Sequence, residues 1–240
     1  MNAFILGSGF TDDLPFQIQE EREITTPYGQ CNLLKCAHDA KDFFILFRHG
    51  KKHSIPPHQI NYQANIFALN ELNVKTIYSF CSVGSIFSDG IPGSVCIPSQ
   101  IIDYTWGRSH TFFENDSKVE HIDFTHPFSI DAQNKLTTSL ENLNVNYFKE
   151  LVYGVTQGPR LESAAEIKKY QKDGCDIIGM TAMPECSLAR ELGVSYAILA
   201  FVVNWCAGIK DSSSKIDHSK IVEISNNTVS ILKKLIIELI

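Results

Sequence analysis

Phe43-Phe44-Ile45-Leu46-Phe47-Arg48-His49-Gly50 carries five apolar residues without a polar break straight into a guanidinium, an imidazole and a glycine. An unbroken apolar run of this length reads as a strand covered on both faces. Its end delivers groups suited to an anion, because arginine offers a rigid, permanently charged fork for a phosphate oxyanion. Outward from this stretch, further short apolar strands are expected at Ala3–Gly7, Thr76–Val83, Val95–Pro98, Val152–Gln157, Asp176–Met180 and Tyr196–Asn204. Helices are expected between and after them. Asn61–Leu72 has apolar residues at helical spacing, Glu162–Lys172 follows a Gly-Pro turn, and Pro184–Leu192 has Pro and Glu in its first turn with Gly193 to stop it. Ser219–Ile240 places Ile221, Ile224, Leu232, Leu235 and Leu239 on one stripe, an amphipathic helix that would close the sheet. The alternation predicts α/β architecture in three layers. No repeat, low-complexity linker or Pro/Ser-rich hinge marks a boundary, so residues 1–240 are expected to form one domain.

Composition narrows the chemistry. At 240 residues and 44% hydrophobic the chain can bury a large core. A net charge of -6 gives no general attraction to nucleic acid or to an anionic membrane, so an anion has to be captured by a local cluster. A small anionic ligand fits better than a polymer. Seven cysteines, at 31, 36, 81, 96, 175, 186 and 206, form no CxxC pair, which argues against a disulfide framework and points to reducing cytoplasm. The first residues lack a basic leader region and no stretch approaches a membrane span. The mature protein is therefore expected to be the chain as written.

Polar groups stand where the apolar strands stop. Gly7-Ser8-Gly9 follows the first strand, with glycines that let backbone N–H groups approach an anion and a hydroxyl from Ser8. Cys81-Ser82-Val83-Gly84 is expected to end another strand in the same way, and Thr181 ends a third after Gly179-Met180. Each signal alone is weak, and Gly-Ser-Gly after a strand is commonly just a turn. Together, Ser8, Arg48-His49, Ser82 and Thr181 at one edge of an α/β sheet describe a phosphate pocket. His49, His53 and His58 raise a metal reading, but Gly50 and Pro56-Pro57 work against the helix their spacing would need. No metal is expected. The loop Gly50–Gln59 reads as a mobile basic cover over the anion, or as a solvated charge run.

Six blocks in fixed order are similar to one family: GSG, RHGKKHSIPPHQINYQANIFAL, CSVGSI, QIIDYTWGRSHTF, TQGPRLESAAEI and DIIGMTAMPECSLARELG. The chain resembles the trimeric purine nucleoside phosphorylases, in their methylthioadenosine phosphorylase branch. VVNWCAG and HIDFTHP look closest to the bacterial S-methyl-5'-thioinosine phosphorylases. The resemblance implies the nucleoside phosphorylase fold, a mixed, partly barrel-like sheet flanked by helices. It also implies phosphorolysis, in which inorganic phosphate attacks C1' of a nucleoside and the purine leaves, with phosphate as co-substrate and no cofactor.

By that resemblance the phosphate ligands fall on Ser8, Arg48, His49, Ser82 through its backbone amide, and Thr181, with Met180 against the ribose. The base would be read by Glu162 and Asn204, beside Leu161, which stands where the family commonly carries Phe. An amide NH2 at 204 can donate to O6 or N7 and a carboxylate at 162 can accept from N1–H, a pairing that suits a 6-oxopurine. Without the resemblance, the better reading makes Asn204 a strand-end cap and Glu162 a first-turn helix acid. At the 5' end, His218 matches the histidine that meets a 5'-hydroxyl in ordinary purine nucleoside phosphorylases, whereas overall similarity favours a 5'-methylthio group. His121 matches a residue that reaches the 5' group of a neighbouring subunit in a homotrimer.

The expected substrate is thus S-methyl-5'-thioinosine, with inosine or guanosine as the alternative and methylthioadenosine after them. Arg-His-Gly after a strand also opens the histidine phosphatases, although there it follows the first strand. A non-catalytic nucleoside-binding protein of the same fold is a third reading.

Overall fold

The computed structural model describes residues 1–8, 14, 16–114 and 120–240, apart from the side chains at 218, 226 and 227. Gly9 of the first turn lies outside them. The chain opens with β1 (Asn2–Leu6), a hairpin of β2 (Gln17–Thr26) and β3 (Gly29–His38), and β4 (Lys41–Phe47). Next come α1 (Tyr62–Glu71), β5 (Thr76–Ser85), β6 (Val95–Asp103), α2 (Ile130–Asn142) and β7 (Tyr147–Val155). The last elements are α3 (Ala164–Lys172), β8 (Ile177–Gly179), α4 (Ala182–Glu191), β9 (Ser195–Trp205) and α5 (His218–Leu239). Among the described residues the strands form one mixed sheet in the order β2-β3-β4-β1-β5-β8-β7-β6-β9, and a further β5–β9 pairing closes the last five into a barrel.

Two apolar layers hold the sheet. On one face Phe4 packs edge-on to Phe43 at 5.6 Å and stacked on Tyr78 at 5.7 Å, beneath Leu232, Leu235, Ile236 and Leu239 of α5. On the other face Ile66 and Leu69 of α1 and Leu188 and Ala189 of α4 join Ile5, Leu46, Ile77 and Ile198. Truncating a fully buried member such as Leu235 to Ala costs about 2–5 kcal/mol. The three-layer, partly barrel-like α/β expectation holds.

Several boundaries move. The β2–β3 hairpin and α2 are absent from the strands and helices expected from sequence. β2, QIQEEREITT, is exposed along nearly its whole length, so it shows no apolar alternation, and its charges are those of a protected sheet edge. β5 runs on to Ser85, so Ser82 lies inside a strand rather than at its end. The Val83–Gly84 step is opposed by an extra residue in β9, with Val83 facing Val202 and Gly84 facing Asn204. Such a bulge bends a strand and re-aims a side chain, here beside Asn204. In α4 Met183 is extended (φ -112°, ψ 138°), and regular helix runs from Pro184. On α5, Ile221 leaves the core stripe and faces a cleft.

β5 is the hinge of the topology. One of its edges pairs with β1 only from Thr76 to Ser79 and with β8 only at Gly84 and Ser85. Between the two ladders that edge is open, and Arg48 bonds the Phe80 carbonyl there at 3.1 Å. The period-two alternation of a strand turns the N–H of Ser82 to the same edge as Phe80. Polar chemistry belongs where sheet pairing lapses.

Candidate active site

Around this open edge lies a cleft of about 650 Å³. Parallel β1, β4, β5 and β9 bring their C-terminal ends to it, and β8 enters antiparallel to β5 from the opposite direction. Its lining includes Ser8, Arg48, His49, Ser82, Leu161, Glu162, Met180, Thr181 and Asn204, which the sequence distributes over almost two hundred positions. His121 is exposed and is not part of this lining. His218 begins α5, but its side chain lies outside the described residues.

Arg48 differs most from expectation. Rather than presenting a free fork, its guanidinium is 1% exposed and engaged by the protein. Nε and Nη2 donate to the two carboxylate oxygens of Glu185, each at 2.8 Å, Nη2 also bonds Ser79 Oγ, and Nη1 donates to the Phe80 carbonyl. Burial is the largest single influence and opposes the charge, but the groups around it, Glu185 first among them, together hold the guanidinium well above its ordinary range. Nη1 lies toward Gly7, where a β-carbon would come within 3.1 Å of it. The first glycine of Gly7-Ser8 thus makes room for the guanidinium.

His49 carries no charge at neutral pH. Burial first, then the Arg48 charge, pull its pKa down to about 4 against the opposing effect of the Ile55 carbonyl. Its Nδ1 lies 2.8 Å from Ile55 O, and a carbonyl only accepts, so Nδ1 carries the proton and Nε2 is an acceptor. The His53 ring lies 4.5 Å from the His49 ring, tilted by 44°, and reaches to 3.5 Å from Ser8 Oγ. Of the loop Gly50–Gln59, residues 53–57 line the cleft, and the His49–Ile55 bond ties that stretch to the end of β4. Thr181 is 6% exposed and its hydroxyl lies 3.7 Å from Cys81 Sγ.

At the other end of the cleft, Glu162 Oε1 accepts from Thr156 Oγ1 at 2.6 Å. Asn204 Nδ2 donates to the Trp205 carbonyl at 2.6 Å, and among the described residues its second N–H and its Oδ1 are left for a ligand. Met180 precedes α4, and its thioether abuts Gly158, whose φ of +61° and lack of a side chain admit the contact. Arg108 ties these pieces together. It donates to the carbonyls of Gln157, Met180 and Met183 at 2.8, 2.9 and 2.5 Å and to Tyr62 Oη at 3.2 Å.

Sequence reasoning missed Glu185, Ser79, Tyr196, Thr156, Arg108 and Ile221. Two of them stand in view: Glu185 is a carboxylate in the apolar AMPECSLA run, where its place also suits a first-turn helix acid, and Arg108 sits in the QIIDYTWGRSHTF block. Ser79, Thr156 and Ile221 carry no local signal.

The family model of the phosphorylase superfamily matches residues 3–240. The chain belongs to the phosphorylase superfamily. A superfamily relative from Pyrococcus furiosus, named 6-oxopurine nucleoside phosphorylase, is 41% identical over 98% of this chain and 90% of its own length. A relative from Pseudomonas syringae pv. tomato, named "Probable S-methyl-5'-thioinosine phosphorylase", is 43% identical over 86% of this chain and 85% of its own. Among solved phosphorylase structures, methylthioadenosine phosphorylase from Schistosoma mansoni in complex with adenine superposes with a TM-score of 0.93 at 30% identity, covering 99% of this chain and 90% of that one. The superfamily match sets the histidine phosphatase reading aside, as does the place of Arg48-His49 after β4 rather than after β1. Among the described residues no helix is long and apolar enough to cross a membrane.

Proposed function

We propose that this chain is a 6-oxopurine nucleoside phosphorylase. An oxygen of inorganic phosphate forms a bond to C1' as the C1'–N9 bond breaks, and the electron pair stays with the purine, which leaves protonated by solvent or by a site donor. One observation carries the reading: a phosphate-type set (Ser8, Arg48, His49, Ser82, Thr181) and a base-type pair (Glu162, Asn204) line the same cleft, with Met180 between the elements that supply them. Positioning and preorganised donors suffice for such a displacement, without a covalent intermediate. The free oxygen of Glu162 suits a purine N1–H and the second Asn204 N–H suits O6 or N7. Both relatives quoted carry names of phosphorylases, and one of those names specifies a 6-oxopurine.

For the 5' end we favour S-methyl-5'-thioinosine over inosine or guanosine. Ile221, in the first turn of α5, lines the cleft one helical turn beyond His218 and offers an apolar contact to a thioether. His121 joins that end from a neighbouring subunit in a homotrimer, in keeping with its exposure in the isolated chain. Phosphate serves as co-substrate and no cofactor takes part. A coupled assay of purine release from methylthioinosine, inosine, guanosine and methylthioadenosine, with and without phosphate, tests the whole reading. Phosphate-independent release, or faster release of adenine than of hypoxanthine, would overturn it.

A further inference from the structure

We propose that Glu185 is a positioning residue of the phosphate site, acting through Arg48 to present a single guanidinium N–H to phosphate in a fixed place. The proposal rests on the phosphorylase reading above and adds to it a residue that does not touch the cleft. Glu185 is fully buried, in the turn that follows Met183, and its partner lies 137 positions away in sequence. A buried carboxylate is costly unless paired and saturated with donors. This one is saturated. Oε2 accepts from Arg48 Nε, and Oε1 accepts from Arg48 Nη2 at 2.8 Å, Ser79 Oγ at 2.8 Å and Tyr196 Oη at 2.7 Å.

Counting donors gives the consequence. A guanidinium has five N–H groups. Nε–H and one Nη2–H go to Glu185, the other Nη2–H to Ser79, and one Nη1–H to the Phe80 carbonyl. Among the described residues a single Nη1–H is left, on the nitrogen nearest Gly7, and both Gly7 and Arg48 line the cleft. The carboxylate also balances the guanidinium charge, and His49 beside it is neutral, so phosphate is held by aimed donors rather than by surplus positive charge. With glutamine at 185, an amide NH2 would face one of the Arg48 N–H groups, and the fork would have to turn away.

The test is the Michaelis constant for phosphate measured against that for the nucleoside. Glu185→Gln is expected to raise the phosphate KM about ten-fold or more, the scale of a misplaced charge-assisted hydrogen bond, with the nucleoside KM within about two-fold. Tyr196→Phe and Ser79→Ala each remove one bond to Glu185 and should raise the phosphate KM by about two- to five-fold. These milder variants carry the test if Glu185→Gln does not fold. In an Arg48→Ala background Glu185→Gln should change the phosphate KM no further, because its action runs through the arginine. A merely structural role would lower the active fraction and leave the phosphate KM of the folded protein unmoved. That outcome in all three single variants overturns the proposal while leaving the phosphorylase reading intact. Should wild-type protein release no purine, calorimetric titration with inorganic phosphate decides instead. Equal affinity in wild type and variants, or no binding to either, sinks the proposal, and weaker binding in the variants sustains it.

Discussion

Thr156 holds Glu162: its hydroxyl donates across 2.6 Å to Oε1, and its own side chain is buried against the end of β7. One carboxylate oxygen is thereby fixed and the other is left for the ligand. Thr156→Val keeps the shape and removes the donor, so Glu162 should lose its orientation. The expected result is a fall of about ten-fold in kcat/KM for inosine-type substrates, the order of one lost hydrogen bond to a charged group. Unchanged kcat/KM in a folded variant would show that Glu162 needs no such anchor.

Asn204→Asp should act twice. A carboxylate cannot donate to O6 or N7, and it also sets an anionic oxygen against the Trp205 carbonyl that Nδ2 now bonds at 2.6 Å. Activity on inosine-type substrates should drop, relative activity on adenosine-type substrates should rise, and stability should fall by about 1–3 kcal/mol. An unmoved ratio between the two bases, read in parallel assays, would place base selection elsewhere.

The depressed pKa of His49 makes a statement about stability. Its folded value of about 4 lies below the ordinary 6.5, so between these values the unfolded chain binds the extra proton. Stability tied to His49 is therefore complete above about pH 6.5 and declines as pH falls toward 4, by about 3 kcal/mol in all. Denaturant melts of wild type and His49→Gln across that window should converge toward acid pH. Parallel curves would mean that His49 protonates as readily in the folded chain as in the unfolded one.

Arg108 spans the segments that carry Gln157, Met180 and Met183. Removing its fork in Arg108→Ala frees four backbone carbonyls, those of Thr156, Gln157, Met180 and Met183, in the segments that carry Met180 and the anchor of Glu162. Turnover of nucleoside should fall by about 10- to 100-fold, since a displacement of an ångström in a preorganised site is costly. Phosphate KM should move far less, and comparable damage to both constants would mean general collapse of the cleft.

The shared-site reading of His121 predicts an assembly of about 80 kDa, three times the 26.9 kDa chain under cyclic closure. Mixed preparations of Arg48→Ala and His121→Ala chains should recover part of the activity that each lacks alone. An active monomer in sedimentation would defeat it.

Much of this was legible in the sequence because burial on both faces writes itself as an apolar run: β4, β5 and β9 were found that way, and the polar residues just beyond them marked the cleft. β2 was hidden for the opposite reason, since an exposed edge strand needs no apolar face. α2 was overlooked although Ala132, Leu136 and Leu140 recur at spacings of four behind the Ser129 cap. The Arg48–Glu185 pair shows a different limit. A guanidinium at the end of a strand announces charge, but whether that charge faces a ligand or a buried partner depends on a contact 137 positions away, which no local pattern encodes.

β5 has β9 along the whole of one edge and β1 then β8 along the other, so the open sheet and the barrel have a strand in common. Displacing β5 itself therefore breaks the open sheet and the barrel together. Native-state amide exchange at Ile77 to Ser79 should then proceed only through global unfolding, where separate cooperative units would have shown intermediate opening energies. The strand that carries the phosphate end of the cleft would be among the last parts of the molecule to let solvent in, and loss of activity on heating would coincide with melting rather than precede it.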